Sequence, residues 1–189
     1  MDFKQIFYDH KIEVKWASLI ALSGLVWLVM AYLIGFHTTK LEFYPIMYLI
    51  ETIFLFVIAL LFSLIASAEK ITKYLLSNSY KTSIKICLEI GFWSTLLGVG
   101  MWAFYFYFIN PDFFINITNF KKVKDPVNFH STDFTIYTFI RQFISNRLFQ
   151  SLIIALSVPV LMKRVISQKN MVVPIENNSK DTQANIIKE

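Results

Sequence analysis

Charge and flexible residues are what this chain has least of. Of its 189 residues only 16% are charged, and it holds 5 Gly, 5 Pro and 1 Cys. So few charges exclude an ordinary soluble domain, whose surface takes about a quarter of its residues from Asp, Glu, Lys and Arg. The lone Cys87 excludes an intramolecular disulfide and every multi-cysteine zinc or iron–sulfur site. At the start of an apolar run, it reads as a small packing residue. The G-x-S-x-G, H-E-x-x-H, P-loop and glycine-rich dinucleotide patterns do not occur, which removes the reaction classes they mark. Gly98-Val99-Gly100 lies inside an apolar run and is no phosphate cradle.

Apolar residues are abundant. The chain is 56% hydrophobic and 17% aromatic, with 19 Phe. They gather in four runs, 16–36, 44–68, 86–109 and 148–162. A helix of about 20 residues crosses the ~30 Å hydrocarbon core of a bilayer. The first three runs reach that length. The fourth is short and spans only if Arg147 and Lys163 snorkel toward opposite headgroup layers. The fold class expected is therefore an all-α membrane protein. It is a four-helix transmembrane bundle over residues 1–166, with spans at about 16–36, 44–68, 86–109 and 144–162 and a polar, disordered tail over 167–189.

The first run follows Lys4, Lys11 and Lys15, as a signal peptide would. It is too long for an h-region and ends without a small-residue cleavage pattern, so it reads as an uncleaved anchor. Pro45 suits a first helical turn, and Asn110-Pro111 ends the third run. The outer loop 110–143 has a solvated, turn-rich middle around Lys121, Lys122, Lys124 and Asp125-Pro126. Ser131-Thr132-Asp133 offers helix caps. Phe134, Tyr137, Ile140, Ile144 and Leu148 then recur at helical spacing, which predicts an amphipathic helix on the membrane running into the fourth span. A loop helix packed against the bundle is the alternative.

With both termini inside, twelve of the 18 Lys and Arg fall on the inner side and six on the outer. The positive-inside rule then places both termini in the cytoplasm, in a membrane of the bacterial inner-membrane type. The net charge of +5 does not indicate nucleic acid, because the basic residues flank apolar runs and form no stripe with stacking aromatics.

Ionisable residues inside spans are functional candidates, since burying such a charge costs at least ~2.5 kcal/mol. Two acids qualify, Glu51 and Glu89. Glu89 follows Lys85 by one turn and reads as an interfacial acid. Glu51 lies deeper, and its expected partner is Arg147, with Arg141 second. Ala59, Ser63 and Ser67, and Ser94 with Gly98, have the four-residue spacing of small residues that lets membrane helices approach closely. Glu51 is out of phase with Ala59 by about 80° on a straight helix. His10, His37 and His130 lie outside the spans and read as surface residues; no metal ligand, catalytic residue or cofactor is assigned.

The expected function is a non-enzymatic structural or assembly subunit of a larger membrane complex, such as a secretion or conjugation apparatus. Its partners are the lipid bilayer and other membrane proteins or further copies of itself. A small transporter or channel using Glu51 is the first alternative. An interfacial membrane enzyme is the second.

Overall fold

The computed structural model describes residues 10–74, 80–126 and 135–172. Among the described residues there are five helices: α1 (Lys11–Ile34), α2 (Tyr44–Tyr74), α3 (Tyr80–Phe104), α4 (Phe113–Lys124) and α5 (Ile136–Val172). A 3-10 turn, Leu41–Phe43, leads into α2, and a π-helical turn, Tyr105–Ile109, continues α3. Four segments are long and apolar enough to cross a membrane: Lys11–Ile34, Leu41–Tyr74, Tyr80–Ile109 and Ile136–Lys163. The all-α, four-span architecture is thus present, and no strand occurs among the described residues.

The helices form a ring in the order α1, α2, α5, α3, with the closest packing where α3 meets α1 and α5. Small side chains make that approach possible. The buried stripe of α1 includes Ala17, Ala21, Gly24 and Ala31, and that of α3 includes Cys87, Gly91, Ser94 and Gly98. A Cβ at Gly91 would collide with Ser151 of α5, and one at Gly98 would stand 2.6 Å from the Phe143 ring. Outward, Leu49, Ile53, Phe92, Leu96 and Phe149 are exposed on the spans, as a lipid-facing belt requires.

On α2 the buried residues are Glu51, Leu55, Ala59, Ser63, Ala66 and Ser67. Glu51 therefore shares the face of the small residues, contrary to its expected phase. A stripe at every fourth residue follows the i±4 ridge, which runs obliquely to the helix axis, so an obliquely crossing neighbour covers all of it.

Helix boundaries depart from the sequence reading in several places. α1 begins at Lys11, ahead of the apolar run expected from 16, so Ile12 and Glu13 are buried in the bundle. Part of the loop 110–143 is the helix α4: Phe113 and Ile117, one turn apart, insert fully into an aromatic core, while Lys121, Lys122 and Lys124 occupy the last turn, where helix-dipole attraction favours cations. α5 runs unbroken from Ile136 through Pro159 to Val172, so it is long enough to span with turns to spare and passes the expected start of the tail at 167. Its first turn is closed by Thr135 and Thr138: each backbone N–H donates to the other's Oγ1, at 3.2 and 3.3 Å. The expected caps Ser131-Thr132-Asp133, together with Phe134, His130 and the tail 173–189, lie outside the described residues.

Two apolar clusters fill the bundle. One is mainly aliphatic, around Ile12, Ile20, Ile86, Ile90 and Val158. The other is aromatic, around Trp102, Tyr105, Phe106, Phe113 and Phe143.

Candidate functional site

A polar layer joins α2 to α5. On α2, Tyr48, Glu51 and Thr52 stand at helical i, i+3, i+4 spacing; on α5, Asn146, Arg147 and Gln150 do the same work at i, i+1, i+4. Asn146 Nδ2 donates to Tyr48 Oη at 2.7 Å, and Gln150 Nε2 to the Thr52 carbonyl at 3.3 Å. These two bonds cross-link the helices and fix the height of Arg147 opposite Glu51. Arg147 donates to Gln150 Oε1 at 3.2 Å, and its guanidinium lies 5.3 Å from the centre of the Phe143 ring.

Glu51 and Arg147 are each 5% exposed. They are near enough for their charges to attract, yet among the described residues they form no direct ion pair. Both line a cavity of about 20 Å³ with Tyr48, Thr52, Trp102 and Asn146. That volume admits the centre of roughly one water molecule, whose required polar partners are present. Glu51 accepts no hydrogen bond from the described residues. The arrangement leaves room for about one water between a carboxyl group and a guanidinium. Arg141, the other partner considered, is exposed on α5.

Glu89 lies in a second cluster at the opposite end of the bundle. Its carboxylate is 3.3 Å from His10 Nδ1, 3.6 Å from Lys70 Nζ and 3.8 Å from Lys85 Nζ. Lys70 Nζ also contacts Glu13 Oε1, and Glu13 is completely buried. The pairing with Lys85 is thus one part of a network that the sequence reading did not assemble. Glu13 follows His10 by three residues, one helical turn, and that spacing was the available signal.

His37 also departs from its expected surface position. It is 3% exposed, between Tyr44, Tyr105 and Phe113. Asn110 Nδ2 donates to Tyr105 Oη at 3.2 Å, and the same hydroxyl is hydrogen-bonded to Nδ1 of His37, 2.6 Å away. The ring is held away from water, which disfavours its charged form. Burial pushes its pKa down from 6.5 to about 4. The π turn brings Tyr105 to this position, and Asn110 N closes it onto the Tyr105 carbonyl at 2.9 Å. At the near side, Gly35 takes φ 91°, ends α1 in the left-handed region and turns the chain so that His37 enters the core.

The small residues Ala59, Ser63, Ser67, Ser94 and Gly98 are all buried at helix contacts. Comparison of the chain with family models, curated proteins and solved structures finds no match.

Proposed function

We propose that the chain is an integral, multi-pass membrane protein with both termini cytoplasmic, and that it serves as a non-enzymatic structural or assembly subunit of a larger membrane complex. One observation carries this reading. Helix α4 lies outside the four membrane-length segments, yet it exposes Ile115 and Val123, at 61% and 84%, beside Lys121, Lys122 and Lys124. Large apolar side chains held on a rigid non-spanning helix, rimmed by cations, form a surface suited to another protein.

Two experiments test it. For topology, cysteines at the exposed positions Asn119 and Lys81, in a Cys87→Ser background, are labelled with an impermeant thiol reagent on intact cells. Only the Asn119→Cys protein should label; equal labelling rejects the orientation. For the subunit role, photo-crosslinkers replace Ile115 or Val123 in native membranes, with Leu49 as a lipid-facing control. Crosslinks to one defined partner from α4 and none from Leu49 support the reading. Lipid adducts alone from both faces reject it.

The second reading is a small transporter using Glu51. The observation that favours it is an acid 5% exposed, without a hydrogen-bond or ion-pair partner among the described residues, at a cavity that holds about one water. Vesicles loaded with a pH-sensitive dye discriminate. A proton flux present with the native chain and absent with Glu51→Gln raises this reading above the first.

A further inference from the structure

The ends of α1, α2 and α3 meet in a cluster whose composition exceeds what charge pairing requires. One nitrogen and carboxylate oxygens from His10, Glu13 and Glu89 all lie within 4.8 Å of one another. His10 Nδ1, Glu13 Oε2 and Glu89 Oε2 are buried and accept or donate no hydrogen bond among the described residues. Glu13 is wholly inaccessible, and its second oxygen is already taken by Lys70. A buried carboxylate oxygen left without a donor is costly and calls for an explanation.

We propose that His10, Glu13 and Glu89 form a binding site for a divalent first-row transition metal ion, of which zinc is the type. One imidazole and two carboxylates are the donor set such ions take, in contrast to the all-oxygen shells of Ca²⁺ and Mg²⁺. Ligands at about 2.1 Å on a tetrahedral ion stand roughly 3.4 Å apart. His10 Nδ1 and Glu89 Oε2 are already at 3.3 Å. A Glu13 carboxylate oxygen lies within 4.8 Å of the other ligand atoms and closes onto the ion as Lys70 is displaced. The fourth position is open to water, because His10 and Glu89 also line a cavity of about 560 Å³ with Phe92 and Trp93, which gives the ion its path of entry.

Lys70 is the internal competitor. Its ammonium neutralises Glu13 and stands 3.6 Å from Glu89, so it occupies the charge position that the ion needs. Metal and lysine are therefore alternatives: binding expels Lys70 toward the headgroup layer, on a stem long enough to reach it. Lys85, 3.8 Å from Glu89 and well exposed, is the milder competitor.

The competition makes the test specific. The full chain, purified in detergent and freed of added histidines, is titrated with Zn²⁺ by calorimetry, with Mg²⁺ and Ca²⁺ as controls. Co²⁺ reports ligand identity through its visible absorption. The expected result is one saturable Zn²⁺ per chain with no response to Mg²⁺ or Ca²⁺. His10→Gln and Glu89→Gln should each weaken it about tenfold or more, and His10→Gln should alter the Co²⁺ spectrum. Lys70→Gln should tighten binding about tenfold, and zinc should restore the stability this variant loses without metal. Absence of saturable binding overturns the proposal. So does binding unchanged in both ligand variants, which would mark an adventitious ion at His37, His130 or Cys87. If Lys70→Gln does not fold, the Co²⁺ spectrum of native chain against His10→Gln decides: identical spectra overturn the site.

Discussion

The bundle buries opposite charges in two places and treats them differently. At the end where α1, α2 and α3 meet, Lys70 and Glu13 are in contact, and Glu89 adds His10 and Lys85 to the same network. In the α2–α5 layer, Glu51 and Arg147 face one cavity without closing on each other. The difference follows from what surrounds each pair. Lys70 has a flexible stem near the end of α2, free to swing onto Glu13. Arg147 is held by Gln150 and stacked over Phe143, and α5 is itself pinned by the Asn146–Tyr48 bond. A closed pair stabilises mainly against losing one member. An open pair leaves room for a proton or a water, which is why the second site, and not the first, is the one that transport would use.

The largest effect is expected at the closed pair. Removing one partner leaves a buried, uncompensated charge, with a loss of about 3–5 kcal/mol. Lys70→Met should lower the thermal unfolding midpoint in detergent sharply, and Glu13→Leu/Lys70→Met should recover much of the loss. A double variant as unstable as the sum of the singles would show that the contact is not energetically a pair, and the contrast with Glu51 would fail.

His37 sharpens the comparison from the side of a buried group kept neutral. Its proton affinity falls on folding, from a pKa of 6.5 to about 4. Between those values the unfolded chain binds more protons than the folded one, so stability is full above about pH 6.5, declines as pH falls, and levels off below about pH 4. The whole loss is roughly 3 kcal/mol. Unfolding midpoints of the native chain and of His37→Gln, measured across that range, should converge toward acid pH. Parallel curves would mean that charging His37 costs nothing.

How much of this was legible varies with the physics involved. The four long helices were readable because a bilayer imposes a length, and four apolar runs of about that length stand out in the sequence. Glu51 and Arg147 were readable because charge is rare inside apolar runs. Their neighbours Tyr48, Asn146 and Gln150 were missed because polar uncharged residues near span ends are unremarkable until two helices are set in register. Glu13 was missed because α1 starts a turn earlier than its apolar run, at Lys11. His37 and the helix α4 were missed for a shared reason: both are short segments whose burial depends on an aromatic core assembled from all five helices. No local pattern encodes that assembly.

The glycines of α3 probe how tightly the open layer is held. A methyl group at Gly98 would meet the Phe143 ring at 2.6 Å, and that ring carries Arg147 on its face. Gly98→Ala should cost about 1–3 kcal/mol through overpacking. Gly100 has nothing within 4 Å of the same modification. Gly100→Ala should be neutral or stabilising by up to about 1 kcal/mol from helix propensity alone. Equal effects at both positions would mean that α5 yields freely, and that the separation of Arg147 from Glu51 is not enforced by packing.

The coupling between Glu51 and Arg147 themselves is also small, and it bears most directly on function. Each side chain is desolvated, so Glu51→Gln and Arg147→Gln each change stability for reasons besides their mutual attraction. A double-mutant cycle removes those terms and leaves the interaction. Across a cavity wide enough for a water, the coupling should be about 1 kcal/mol. That is clearly below the value from the same cycle on Glu13 and Lys70. A coupling as large as that of the closed pair would show that the two groups meet in the membrane, and the site would then be a structural clamp between α2 and α5. A coupling near 1 kcal/mol, with Glu51→Gln folded and stable, leaves a carboxyl group able to take up and release a proton without dismantling the bundle. Only in that case is the dye-loaded vesicle experiment a test of transport. If Glu51→Gln simply unfolds the chain, lost flux would reflect lost protein.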